Sequence, residues 1–184
     1  MEIQPQFLVS DPIPFEQAID LTQSLMAALQ HDRLTEAELE SIITALVKTE
    51  NGARGFFVTY LTDQQPTADQ SSPAVVAALR SSPEIVSELL VKNLAMSTAM
   101  IVTHTGNQNL ELAAGSERVQ RRTIELMKQT QIEAIFVKLE QLRRSIETHG
   151  VETLTGEFQS FLQRWNYNEA QRRAIAQVIS RVMT

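Results

Sequence analysis

The residues of this chain that could do chemistry are three histidines, three clusters of arginine with glutamate, and one aromatic run. His31, His104 and His149 are the candidates for metal binding or proton transfer. A zinc site wants paired ligands such as His-x-x-x-His, and no two of these histidines lie close in sequence. Each falls at or just past the end of a helix read from the apolar spacing, where a cation meets the negative end of the helix dipole. Helix capping is therefore the expectation for all three. Glu147 and His149 are two apart and face different sides of a helix, and the Glu-x-x-His pair of di-metal helical bundles is absent. We expect no metal and no cofactor.

The charged clusters point to surface pairing. Glu117, Arg118, Arg121, Arg122 and Glu125 interleave at spacings of four, which puts acids and bases on one helical surface. Arg143 and Arg144 with Glu140 and Glu147, then Arg172 and Arg173 with Glu169, repeat the arrangement. The leading expectation is a solvated, self-paired face; the alternative is an arginine patch at Arg118, Arg121 and Arg122 that grips an acidic partner, since guanidinium forks suit carboxylates and phosphates. Glu36, Glu38 and Glu40 could supply acid–base catalysis only from a desolvated cleft, and they sit on the outer face of an amphipathic helix. No Gly-x-Ser-x-Gly elbow, phosphate-cradling glycine loop or dinucleotide fingerprint occurs. With no cysteine there is no thiolate nucleophile, thiolate metal site or disulfide. Catalysis is disfavoured.

The aromatic run Arg54-Gly55-Phe56-Phe57-Val58-Thr59-Tyr60 has two readings. Core packing comes first. If Arg54, Phe56 and Tyr60 are exposed they form a partner-binding hot spot, because tyrosine and arginine dominate such sites. A third constellation, Asn93, Met96, Met100, Met127 and Phe136, would line a pocket for a small apolar ligand, although methionines at helical spacing usually fill core gaps.

The elements that must carry these residues are helices. Apolar positions recur at three and four along nearly every long segment, and sustained two-residue alternation is missing. The fold expected is all-α: one domain, a bundle of six to eight helices, with a largely buried central helix and one long helix or kinked pair; the alternative is a sub-division near residue 106 into an acidic 1–105 and a mildly basic 107–184. A helix over Phe15–Gln30 starts after Pro12 and Pro14. The Thr35-x-x-Glu38 capping box opens a second, which ends near Asn51 with Gly52 in the left-handed conformation. Residues 53–62 are read as helix in competition with a strand, which would lack a partner in this chain. Asp63 to Ser72 is the clearest loop. Ser72-Pro73 and Ser82-Pro83 each place a capping hydroxyl before a first-turn proline.

The helix from Pro83 to about His104 is apolar nearly all round and is expected to be the central element. From Gln108 to His149 the helical period runs on, with a break near Gly115 or Gln129. The stripe Ile132, Ile135, Leu139, Leu142, Ile146 lasts barely two heptads and reads as a seam inside a bundle. Gly150 closes that helix; Val151, Leu154, Phe158, Phe161, Leu162 and Trp165 line the next, and Asn168 caps the last.

Composition frames the function. The 184 residues carry a net charge of −6, which argues against nucleic acid. Residues 1–90 hold 4 Lys/Arg against 13 Asp/Glu and residues 91–184 hold 12 against 9, so the first half carries −9 and the second +3. Such polarity can guide one protein onto another. The amino terminus lacks the basic start and apolar run of a secretory signal, and the longest apolar stretch, Leu94 to Val102, is interrupted by Ser97 and Thr98. The expectations are a cytoplasmic protein, no membrane span, and a non-enzymatic helical module that presents a surface to a protein partner, a second copy of itself included. The alternatives are the apolar-ligand bundle and a helix-turn-helix regulator, for which the acidic first half has the wrong sign.

Overall fold

A computed structural model describes residues 5–148 and 157–184. The fold is all-α. Among the described residues there are nine α-helices and no strand. They are α1 (Phe15–Leu29), α2 (Glu36–Val47), α3 (Glu50–Thr62), α4 (Pro73–Arg80), α5 (Pro83–Gly106), α6 (Leu110–Thr130), α7 (Glu133–Glu147), α8 (Glu157–Trp165) and α9 (Glu169–Met183). Contacts gather into two compact units, residues 1–89 with 125–132, and residues 90–124 with 133–184. The division therefore falls inside α5 and α6.

In the first unit, α3 packs on α1 and α2, and α2 on α4. The Thr35 box forms as expected: Glu38 N donates to Thr35 Oγ1 at 3.3 Å and Thr35 N to Glu38 Oε2 at 2.9 Å. These bonds hold the Glu38 carboxyl below its ordinary value. The second helix stops at Val47, earlier than the sequence suggested. Thr49 opens α3 instead, its Oγ1 accepting from Gly52 N at 3.2 Å. Gly52 thus belongs to the first turn of α3, where a Cβ would run into the Leu46 carbonyl. At Gly55 a Cβ would lie 2.5 Å from the Cβ of Ala18. Both glycines serve close packing rather than a turn.

Two helix ends are finished by side chains from other elements. Ser72 does not cap α4; its Oγ is buried without a hydrogen-bond partner among the described residues. Glu36 takes over, its Oε2 accepting from Ala74 N at 3.2 Å, an acid at a helix N-terminus. At the far end of α4, Arg80 donates from Nε to the Thr130 carbonyl at 2.8 Å and from Nη2 to the Gln129 carbonyl at 3.0 Å. That is a guanidinium on the open carbonyls of the α6 C-terminus. The chain then breaks at Gln131, with φ of 50°, so the discontinuity lies next to Gln129 and not at Gly115.

In the second unit, α7 packs on α8 and α9. Ile135, Leu139 and Leu142 are buried, which makes the stripe an internal seam. Asn168 caps α9 reciprocally with Gln171. The Tyr167 hydroxyl beside it is buried without a hydrogen-bond partner among the described residues, and burial pushes its pKa up. Gly150, Val151 and Leu154 lie outside the described residues.

The central helix is 24 residues long. By length and composition alone it could cross a membrane, and half of its most apolar stretch is buried within the protein, as in the core helix of a folded domain. Ser97 and Thr98 interrupt it only nominally. Their hydroxyls donate to the carbonyls of Asn93 at 2.7 Å and Leu94 at 2.6 Å, which hides the polarity.

Candidate interaction surface

The aromatic run is core. Phe56 and Tyr60 are 0% and 1% exposed, their rings stack with centroids 5.0 Å apart, and Phe57 meets Phe56 edge-on. The Tyr60 hydroxyl lies 2.8 Å from Ser71 Oγ. Neither ring can serve as a surface anchor, because the Gly55–Ala18 approach draws this face of α3 onto α1. Of the three hot-spot candidates only Arg54 is exposed, its guanidinium 5.0 Å above the Phe15 ring.

The arginine patch is divided as well. Arg121 is exposed and Arg118 half-buried, but Arg122 is 2% exposed, one turn from buried Leu126 on the inner side of α6. Both Arg121 and Arg122 are engaged in interactions of their own. Arg122 is thus removed from any partner surface. Of the pocket residues, Asn93, Met96 and Met100 share one face of α5, half-buried at the first two and exposed at the third. Met127 is buried and belongs to the first unit. Phe136 stands on the outer side of α7, 45% exposed and four residues before Glu140, so it encloses nothing.

The remaining charged clusters pair internally. Arg143 reaches Glu140 through Nε at 2.9 Å and Nη2 at 2.8 Å, and Glu147 through Nη1 at 2.6 Å; Arg144 Nε meets Glu140 at 2.9 Å. The two guanidiniums lower the Glu140 pKa to about 2. Arg173 pairs with Glu169 at 2.6 Å. His31 is exposed beyond α1, His104 is half-buried in the last turn of α5, and His149 lies outside the described residues. Among the described residues no three His, Asp or Glu side chains are placed to hold a metal ion.

What the geometry does present is the turn between α5 and α6 and the helical ends that lead into it. Asn109 N donates to the His104 carbonyl at 2.9 Å and Gln108 takes φ of 57°, which reverses the chain tightly. Asn109 Oδ1 accepts from Leu112 N at 3.2 Å and opens α6. Farther from the turn the two helices are bound together, Gln120 Nε2 donating to Thr98 Oγ1 at 2.7 Å. On the other side of α5, Gln171 of α9 donates to Thr103 Oγ1 at 2.9 Å.

The apolar stripes of both helices outrun their cover as they approach this turn. Along α6, Leu126, Val119 and Leu112 repeat at seven and share one stripe; the first is buried, the second half-buried and the third 51% exposed. Along α5, Leu94 and Ala95 are buried, whereas Ile101 and Val102, seven residues on, are half-buried. Leu110 is 73% exposed. Sequence reasoning named neither Leu110 nor Leu112. Their signal was present, since both are leucines within three residues of the Gly106–Asn109 turn, where an isolated hairpin has no reason to place them.

No curated protein and no solved structure matches the chain. A family model does match, over residues 14–182, and its description is Uncharacterised conserved protein UCP020893. That span covers nearly all of the described helices, so the chain belongs to this family.

Proposed function

We propose that the protein is a non-enzymatic helical module that docks a protein partner through the α5–α6 turn and the first two turns of α6. The observation that carries the reading is the exposure gradient along Leu126, Val119 and Leu112, which ends with Leu112 51% exposed, while Leu110 on another side of the same turn is 73% exposed. Exposed apolar groups scattered singly need no account, but a stripe that continues past its own core is what a partner completes. Among the described residues no carboxylate is buried, and the carboxyl most strongly lowered, Glu140, owes this to an ion-pair network rather than to a cleft. Both facts favour a scaffold over acid–base chemistry.

The test compares the tagged protein with its Leu110→Ser/Leu112→Ser variant by gel filtration of a gently prepared extract from the native cells. The wild type is expected to elute well above its 20.6 kDa mass and the variant at it, with the melting temperature of the purified variant little changed because the lost side chains are exposed. A wild type that elutes as a monomer, or a variant that elutes with the wild type, would refute the reading.

A further inference from the structure

Glycine in the middle of an exposed helix is unfavourable, and in this fold Gly52 and Gly55 each repay it with close packing. Gly115, well inside α6, does not: a Cβ built there meets nothing within 4 Å. It shares one face with Glu111, Ala114 and Arg118, the four positions lying at offsets of zero, three, four and seven. Glu111 and Arg118 therefore stand on the same side of the helix about 10.5 Å apart, with the two small residues between them. Neither has an ion-pair partner among the described residues. Glu111 suits the N-terminal turn of α6 by its charge, but Arg118 gains nothing comparable from its own helix.

An acid and a base placed symmetrically about a small-residue centre form a surface that is its own complement. Under a two-fold rotation through the midpoint of Ala114 and Gly115, an antiparallel second α6 brings its Arg118 to Glu111 and its Glu111 to Arg118. Closed two-fold contacts between identical patches are the commonest way soluble chains self-associate. The absent Cβ lets the two helix axes approach near the lower end of the usual 8–10 Å range. Leu110 and Leu112, 73% and 51% exposed, flank this face and stand at the rim of the approach. We infer that the partner docked by this surface is a second copy of the chain, joined by an antiparallel α6 pair that crosses at Ala114–Gly115 and is locked by two Glu111–Arg118 ion pairs. The inference rests on the docking role proposed for the same surface and names its occupant.

Sedimentation equilibrium of the purified full chain, over concentrations from micromolar to several hundred micromolar, tests it with a charge-exchange series. The wild type should show a monomer–dimer equilibrium that weakens in high salt. Glu111→Arg and Arg118→Glu each replace two attractions by two repulsions and should weaken the dimer about tenfold or more. Mixing the two single variants should restore a dimer containing one of each, as should the double exchange Glu111→Arg/Arg118→Glu with itself; this restoration also shows that the variants are folded. Gly115→Gln should weaken the dimer while raising the melting temperature, since glutamine is the better helix former. A wild type that stays monomeric throughout overturns the inference, as do single reversals that leave the dimer unchanged or a mixture that fails to recover it. A monomeric purified chain that still elutes in a large complex from extract would overturn self-pairing alone and leave the docking role standing.

Discussion

Glu140 shows how local the chemistry of this chain is. Its carboxylate accepts from both Arg143 and Arg144, and the two guanidiniums lower its pKa from 4.5 to about 2. A folded-state value below the unfolded one stabilises the fold fully above pH 4.5 and loses that contribution as pH falls towards 2. In urea titrations the gap between the wild type and Glu140→Gln should be constant from pH 7 to about pH 5, and close steadily below pH 4.5. A gap that persists at pH 2 would mean that the network does not act through the ionised carboxylate. This cluster was legible in the sequence because spacings of three and four decide it within one helix. Arg122 was not legible, since its burial depends on what packs beside α6 rather than on its neighbours in the chain. The same holds for Phe56 and Tyr60, where the residue types fitted either core or hot spot and the tertiary contact of α3 with α1 decided for core.

Helices, by contrast, announce themselves through periodicity and capping, and those at Phe15, Pro83 and Glu169 begin where the proline and cap signals place them. The boundary between α2 and α3 was misread because Gly52 carries the signal of a helix end. Only the nearness of the Leu46 carbonyl reveals it as a packing residue. Glycine thus has two meanings here, and substitution separates them. Gly55→Ala drives a Cβ to within 2.5 Å of Ala18 and should cost about 1–3 kcal/mol as α1 and α3 are forced apart. Gly115→Ala meets open space and should stabilise dilute protein by about 0.5–1 kcal/mol through helix propensity. Chemical denaturation of the two variants gives both signs directly. Equal destabilisation would contradict the packing described for α3, for α6 or for both.

At the level of the whole molecule, charge divides as the packing does. The acidic residues gather in the first half of the sequence and the basic ones in the second, and this was readable by counting. Which apolar stripe stays open was not readable, because Leu112 repeats the spacing of Val119 and Leu126 and only the extent of their cover tells them apart. The functional account depends on that difference. It is tested most directly by placing a photo-activated cross-linking amino acid at position 112 in living cells, and for comparison at Gln23 on the exposed side of α1. The account predicts one discrete protein adduct from position 112, lost when Leu110 is replaced by aspartate, and none from position 23. No adduct from position 112, or the same adducts from both positions, would contradict it.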